Sequence, residues 1–281
     1  MQTIATENYL PQSAVIAKVI EENSQIKTFE VVFANRAAHK SFTYQPGQFM
    51  MVSIPHCGEA PISFSSSPTR PDTLSLSVRK AGQLTSAMHA MKEGDHIGLR
   101  GAYGNSFDFA AFKGRDLLFV AGGIGLAPLR SVINYCLDNR QDYGRITILY
   151  GSRLPSDIAF RDDIELWKQD PSITCLLTVD ATEPGWDGPV GLVTKLLDEI
   201  DITPSQSSAI VCGPPMMITA TLKELNGRDF ADENLITTME RHMKCGVGIC
   251  RHCHMDGKLI CTDGPVFTLA QLREMDLAEF K

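Results

Sequence analysis

Residues Leu117–Pro128 read LLFVAGGIGLAP: five apolar residues, a cluster of glycines, then small and apolar residues up to a proline. With Asp116–Ala121 as a short apolar run and helical spacing over Ala127–Asn139, the pattern predicts strand, tight turn, helix. Glycines at the carboxyl end of a strand let a pyrophosphate approach the backbone and the following helix N-terminus. Gly122, Gly123, Gly125, Leu126 and Pro128 are therefore candidate cofactor contacts. The pattern is G-G-x-G-x-A-P, not G-x-G-x-x-G, so on its own it also fits a βα turn kept small for packing.

Moving outward, the strand–helix alternation continues. Strands are expected at Ile146–Gly151, Ile173–Val179 and Ala209–Cys212, with helices at Ile158–Lys168, Leu192–Ile200 and Met216–Leu225. Such alternation means βαβ units and a parallel sheet. After the fourth strand comes Cys212, Gly213, Pro214, Pro215, Met216. Ligands of open α/β sheets bind beyond the carboxyl ends of strands, so Gly122–Pro128 and Cys212–Met216 are expected to flank one crevice. After the second strand come Ser152 and Arg153. An arginine there accommodates a 2′-phosphate and tilts the reading from NAD towards NADP, although Asp157 lies close in sequence. Taken singly, Cys57, Cys136, Cys175 and Cys212 read as small buried hydrophobes.

Toward the N-terminus the texture changes. Ser13–Glu22, Ile26–Phe33, Gln48–Ile54, Ile62–Ser66, Thr73–Val78 and Ile97–Arg100 read as short strands punctuated by Gly and Pro, which suggests an antiparallel barrel or sandwich. The C-terminal stretch differs again. Cys245-x4-Cys250-x2-Cys253-x7-Cys261 places four thiols within 17 residues. C-x4-C-x2-C followed by a more distant Cys is plant-type [2Fe-2S] spacing, and Gly246 and Gly248 allow three sulfurs to come from one tight loop. A four-cysteine zinc site and a disulfide pair are the alternatives. His252 and His254 are expected to be exposed. The tail Leu269–Phe280 reads as a short amphipathic helix that either docks a partner or packs on its own domain.

The chain has 281 residues, enough for about two domains at roughly 100–200 residues each. It carries 26 basic and 33 acidic residues, net −7, which argues against nucleic acid as a partner. No stretch approaches the ~20 apolar residues of a membrane span. The opening MQTIATENYLPQSA lacks a basic and an apolar region, so no signal peptide and a cytoplasmic location are expected. The predicted architecture is a multidomain β plus α/β chain. It comprises an antiparallel β-barrel (1–110), a parallel-sheet α/β domain (111–234) and a small iron–sulfur segment with a C-terminal helix (235–281).

The order barrel, AGGIGLAP, CGPPM resembles the ferredoxin–NADP reductase superfamily. That resemblance implies FAD on the barrel and NAD or NADP on the α/β domain. The family's R-x-Y-S flavin motif matches Ala60-Pro61-Ile62-Ser63, without its Arg and Tyr but with the serine that sits near flavin N5. The second flavin segment matches Leu76–Ser86. It implies contacts from Ser77, Val78, Arg79, Gly82, Leu84, Thr85 and Ser86, with Arg79 supplying the charge absent at position 60 and Thr85 and Ser86 on the pyrophosphate. With the four cysteines, the whole chain is similar to electron-transfer subunits of dihydroorotate dehydrogenase, anaerobic sulfite reductase and cytoplasmic [NiFe] hydrogenase. The segments GAYGNSF, MERHMKCGVGICRHC and CTDGPVFT favour the last two.

The implied activity is electron transfer between NAD(P)H and the catalytic and iron–sulfur subunits of a larger complex, a hydrogenase first, through FAD and a [2Fe-2S] cluster. Ser63 and Cys212 would border the reacting edge, and hydride transfer between such cofactors demands positioning more than acid–base chemistry. A zinc-stapled binding module without redox activity is the contrasting class.

Overall fold

The structure, a computed structural model, describes residues 9–275 and 277–280; most of the N-terminal stretch read for a signal, and Asp276 of the tail, lie outside them. Strands β1 (Gln12–Glu21), β2 (Ile26–Phe33), β3 (Phe49–Ile54), β4 (Gly58–Ser63), β5 (Leu74–Arg79) and β6 (His96–Tyr103) form one sheet in the order β4-β3-β6-β1-β2-β5. Every pairing is antiparallel. A bridge between Phe64 and Leu76, with Ser65 N–H donating to Ser75 O at 2.9 Å, ties the two edge strands together and closes the barrel. Alternate residues of β2 point inward, as a half-buried strand requires. Phe29, Met50, Phe64, Leu76 and Met88 fill the interior. Helix α1 (Arg36–Ser41) starts at Asn35, whose side chain accepts from the Ala37 and Ala38 N–H groups. Helix α2 (Gln83–His89) packs Leu84 and Met88 against the barrel.

After α3 (Phe109–Phe112), the α/β part runs β7 (Asp116–Gly122), α4 (Leu126–Asp138), β8 (Ile146–Ser152), α5 (Arg161–Gln169), β9 (Ile173–Val179), β10 (Ser207–Cys212), α6 (Pro215–Gly227) and β11 (Leu235–Thr238). The cysteine segment adds a two-strand hairpin, β12 (His254–Met255) and β13 (Lys258–Leu259), then β14 (Val266–Thr268) and α7 (Leu269–Glu274). The second sheet has the order β14-β11-β10-β7-β8-β9. Strands β7 to β11 pair in parallel, and β14 joins β11 antiparallel. Leu235–Thr238 thus belongs to the α/β sheet through Ala209↔Leu235 pairing, and a boundary between 234 and 235 cuts across the unit its hydrogen bonds define.

Three helical expectations change. Leu192–Ile200 is a 3-10 segment, Val193–Glu199, burying Val193, Leu196 and Leu197; that spacing serves a 3-10 turn as well as an α-helix. The helix expected from Ile158 starts at Arg161, because Phe160 is left-handed (φ 58°). The tail helix ends at Glu274, with Met275 extended and a separate 3-10 turn at Ala278–Phe280. Leu269, Leu272, Met275 and Phe280 are all buried in the sheet's second core, so the tail packs on its own domain. Among the described residues, no helix is long and apolar enough to cross a membrane.

Candidate functional site

The chain runs outward from β7 through β8 to β9, then returns to place β10 on the other side of β7. This reversal is the switch point at which open α/β sheets bind ligands. Both predicted loops lie there, since Ala121 pairs with Cys212. Their glycines are explained by contact. A Cβ on Gly125 would run into the Cys212 carbonyl and Gly213 Cα, and one on Gly122 into Met217 Sδ and Pro214. A Cβ on Gly213 would lie 3.0 Å from Met217 Sδ and 3.1 Å from Gly122 N. Gly123, by contrast, has φ +54° and faces open space. Leu126 is buried and Pro128 lies in the first turn of α4, which has no side-chain cap. Its first-turn donors are therefore the backbone's own, a suitable cradle for a phosphate.

Around this crevice the predicted residues divide. Cys212 is 4% exposed, with Sγ 2.9 Å from Thr238 Oγ1. Burial pushes its thiol up to about 12, against a weaker opposing hydrogen bond from Thr238. It stays neutral at physiological pH and contributes shape and dipole rather than a nucleophile. Ser152 Oγ is buried and, among the described residues, has no hydrogen-bond partner. A buried hydroxyl left unpaired is costly, and this one stands at the carboxyl end of β8, the sheet edge at which a nucleotide would bind. Arg153 is 79% exposed and pairs with Asp157 at 3.2 Å. Met216 is 82% exposed, and its neighbour Met217 makes the contacts with the glycine loop.

On the barrel, Pro61, Ile62 and Ser63 form the end of β4, half-buried, opposite Met51, Met50 and Phe49. The second flavin segment is more inward than the resemblance implies. Val78 and Leu84 are buried. Ser77 Oγ lies 2.7 Å from Thr28 Oγ1 and 2.8 Å from Ser65 Oγ. Thr85 Oγ1 accepts from the N–H groups of Ala81 and Gly82 at 2.9 and 2.8 Å, so its hydroxyl caps the α2 turn. These side chains shape the surface from beneath; Arg79, Gly82 and Ser86 are the exposed members.

The chain just beyond Ser63 is fastened to α4, the helix that follows the glycine loop. Arg130 of α4 donates to Ser65 O at 2.9 Å and to Asp163 at 2.8 Å, and Ser131 donates to Ser66 O at 2.5 Å. The predicted flavin strand and the glycine-loop helix are thus rigidly joined, and β5 lies against the Gly123–Gly125 turn.

The four cysteines lie on one loop, and their thiols act on one another: Cys250 on Cys245, and both Cys253 and Cys245 on Cys261. Cys250 N–H points at Cys245 Sγ (3.4 Å) and Gly248 N–H at Cys261 Sγ (3.2 Å). Burial raises the Cys245 thiol, but backbone N–H groups of Cys250, Val247 and Ile249 outweigh it and hold it at about 7. Cys261 is pushed up to about 12 by burial and by Cys253. Among the described residues, no three His, Cys, Asp or Glu side chains converge on one ion position. Four thiols on one glycine-bearing loop, with backbone N–H groups aimed at two of the sulfurs, suit the ligands of a [2Fe-2S] centre. Gly246 (φ +74°) and Gly248 (φ +79°) supply the left-handed turns the loop requires. His252 and His254 are exposed, as expected.

Sequence reasoning missed what holds this loop. Arg100 of β6, 6% exposed, is forked onto Glu59 (Nε–Oε1 2.7 Å, Nη2–Oε2) and donates to Cys245 O at 2.5 Å. Burial alone would lower its pKa; Glu59 and Tyr103 hold it above its ordinary value. Asn105 bonds Asp263 O and Val266 O through Nδ2 and Val266 N–H through Oδ1. Asn105 lies in GAYGNSF, a segment that carried the resemblance; Arg100 read only as the end of a strand.

A barrel edge, a switch-point nucleotide crevice and a thiolate loop in one body define a flavin–nicotinamide reductase architecture with an attached iron–sulfur segment. Comparisons with known proteins agree. Residues 119–223 match the oxidoreductase NAD-binding domain. Residues 240–273 match the iron–sulfur cluster binding domain of dihydroorotate dehydrogenase B. Sulfhydrogenase 2 subunit gamma of Pyrococcus furiosus is 40% identical, covering 92% of this chain and 95% of its own. Sulfhydrogenase 1 subunit gamma of the same organism is 38% identical (90% and 89%). A probable dihydroorotate dehydrogenase B electron transfer subunit of Methanocaldococcus jannaschii is 35% identical (90% and 87%). A solved NADH-dependent reduced ferredoxin–NADP oxidoreductase shares the fold, with TM-score 0.73 at 22% identity over 98% of this chain and 93% of that one. The chain belongs to the family of NAD-binding, iron–sulfur electron-transfer subunits that includes the sulfhydrogenase gamma and dihydroorotate dehydrogenase B subunits.

Proposed function

We propose that this chain is the flavin and iron–sulfur electron-transfer subunit of a cytoplasmic multisubunit oxidoreductase, passing electrons between NAD(P)H and a partner catalytic subunit, a hydrogenase first. The observation that carries this reading is a shared core. Barrel residues Phe49 and Met51, sheet residues Val120 and Val211, and Cys253, Ile260 and Cys261 of the thiolate loop pack in one cluster. Three modules that each suit one redox group are thereby held as one body.

A flavin, when bound, exchanges two electrons with a nicotinamide and single electrons with an iron–sulfur centre. The chain's own contribution is placement. Ser63 and the β4 edge would present a hydroxyl to the flavin's reacting edge. The Gly122–Gly125 loop and the α4 N-terminus would hold the dinucleotide's phosphates, and Gly213 and Pro214 would border its nicotinamide. The buried Cys212 beneath them keeps the crevice floor small and uncharged. Cys245, Cys250, Cys253 and Cys261 would hold the exit centre.

The test is anaerobic absorbance with iron, zinc and flavin analysis of the purified chain, before and after NADH or NADPH. Flavin bands and about two irons per chain, bleached by one nucleotide, are expected. A colourless chain with one zinc would overturn the reading in favour of a metal-stapled binding module. The higher identity of the sulfhydrogenase relatives favours a hydrogenase partner over dihydroorotate dehydrogenase. Nickel in the co-purified complex would agree, and orotate-linked activity would reassign the partner.

A further inference from the structure

We propose that Arg100, set by Glu59, is a positioning residue that fixes the reduction potential of the centre held by the four cysteines; this rests on the reading above that those thiolates bind an iron–sulfur cluster. The guanidinium comes from the barrel, not from the thiolate loop. Its Nη1 donates to the carbonyl of Cys245, the first thiolate residue, at 2.5 Å, and its Nη2 to Lys244 O at 3.3 Å. Its other donors grip both Glu59 carboxylate oxygens. Tyr103 and Tyr9 cover it, with Cζ 5.6 and 5.9 Å from their ring centroids.

A largely buried ion pair is a poor device for stability, because desolvation offsets the attraction. It is a more effective electrostatic one, because Arg100 at 6% and Glu59 at 23% exposure are less screened than charges on the open surface. One-electron reduction at the loop forms and breaks no bond and adds one negative charge to the cysteine-bound centre. A cation bonded to a ligand residue's carbonyl stabilises the reduced form, and the adjacent carboxylate opposes it. The potential is therefore a balance between two named charges. Glu59 stands on β4, the strand that carries Pro61, Ile62 and Ser63. The same pair thus ties the predicted flavin strand to the thiolate loop.

The two charges make opposite predictions, which a purely structural role does not. The experiment is a mediated redox titration of the full-length, cofactor-loaded protein, read by the electron paramagnetic resonance of the reduced cluster and normalised to iron content. Arg100→Gln leaves Glu59 facing the loop and is expected to lower the reduced-to-oxidised ratio at fixed potential about tenfold, ~59 mV for a one-electron couple. Glu59→Gln leaves the cation unopposed and is expected to raise the ratio by a similar factor. The double variant removes both charges, so the two opposite shifts should largely cancel and return the potential towards wild type, any departure from their sum measuring the coupling between the pair. If Arg100→Gln loses iron, Glu59→Gln and Arg100→Lys, which both keep the cation, decide: the first must shift upward and the second must stay near wild type. Shifts of one sign in both charge-removing variants, or unmoved potentials at full iron content, would overturn the proposal alone. Absence of a reduced-cluster signal from the wild-type chain would overturn the underlying cluster reading and this proposal with it.

Discussion

Gly125→Ala tests whether the two switch-point loops meet as described. Gly125 has φ −60° and ψ −15°, so an alanine fits the backbone there without strain. By that criterion alone the change would stabilise the fold by about 0.4–1 kcal/mol through the unfolded chain. Contact opposes it. The new methyl would run into the Cys212 carbonyl group and Gly213 Cα, all backbone atoms of the neighbouring strand end, which cannot rotate aside. Forcing a methyl into such packing costs about 1–3 kcal/mol. Contact wins, leaving a net loss of roughly 0.5–2 kcal/mol, or a Tm lower by about 1–8 °C at ~2–4 °C per kcal/mol for a chain of this size. The displaced loop also carries the predicted nucleotide cradle, so KM for NAD(P)H in a dye-reduction assay should rise several-fold while flavin content holds. Gly58→Ala is the matched comparison: its Cβ meets nothing within 4 Å, but φ is +94°, so strain acts there without collision, at the start of barrel strand β4 and not in the switch-point loops. It should lower Tm and leave KM alone. A Gly125→Ala protein with wild-type Tm and KM would refute the packing argument.

Three further outcomes follow from the same geometry. Cys212 and Cys136 are both pushed up to about 12 by burial, so in the folded chain they stay protonated while the unfolded chain's thiols ionise near 9. Their stabilising contribution is complete below about pH 9 and declines as pH rises towards 12, and iodoacetamide at pH 8 should leave Cys212 unlabelled in native protein; rapid labelling there would contradict its burial. Asn105→Ala removes three hydrogen bonds to residues 263–266, worth about 2–3 kcal/mol together, and should release iron at lower urea than flavin; simultaneous loss would show that the clamp is not local. Asp157→Asn frees Arg153 from its 3.2 Å partner; an exposed pair is worth ~0–1 kcal/mol, so the NADPH-to-NADH ratio of kcat/KM should rise by up to about fivefold, and an unchanged ratio would remove Arg153 from the 2′-phosphate site.

Much of this was legible in the residues, for identifiable physical reasons. The β7–α4 turn announces itself because three glycines between a strand and a helix are expensive unless space demands them, and at Gly122 and Gly125 it does. The thiolate loop is legible because ligand spacing is a geometric constraint carried in one short stretch. Contacts between distant segments were not legible. Nothing local marks Arg100 as a buried fork, since its partners are 41 and 145 residues away. Nor does local pattern reveal that Thr85 spends its hydroxyl on its own turn, or that Met217 rather than Met216 lines the loop. Adjacent methionines at a helix start differ only in facing, which the packing of α6 decides. The tail misled for a related reason: apolar spacing over Leu269–Phe280 records which residues are buried but not that the helix stops after Glu274.

The C-terminal segment shows why these modules act as one. A stretch of about 45 residues cannot bury a sufficient core by itself, and this one relies on its neighbours. Phe267, Leu269 and Leu272 enter the core of the parallel sheet, and β14 extends that sheet's edge beyond β11. Gly246 lies against Met51 and Tyr103 of the barrel, close enough that a side chain there would press on Met51 Cγ at 3.0 Å. Asn105 and Arg100, both from the barrel's last strand or just after it, bond the two ends of the thiolate loop. The loop is therefore fixed from two sides by the structures that carry the predicted flavin strand and nucleotide crevice. Functional groups need supports that keep them within fractions of an ångström of a working geometry. Here those supports are the same contacts that allow the segment to fold, so a variant that loosens the barrel from the sheet should be read out first at the thiolates.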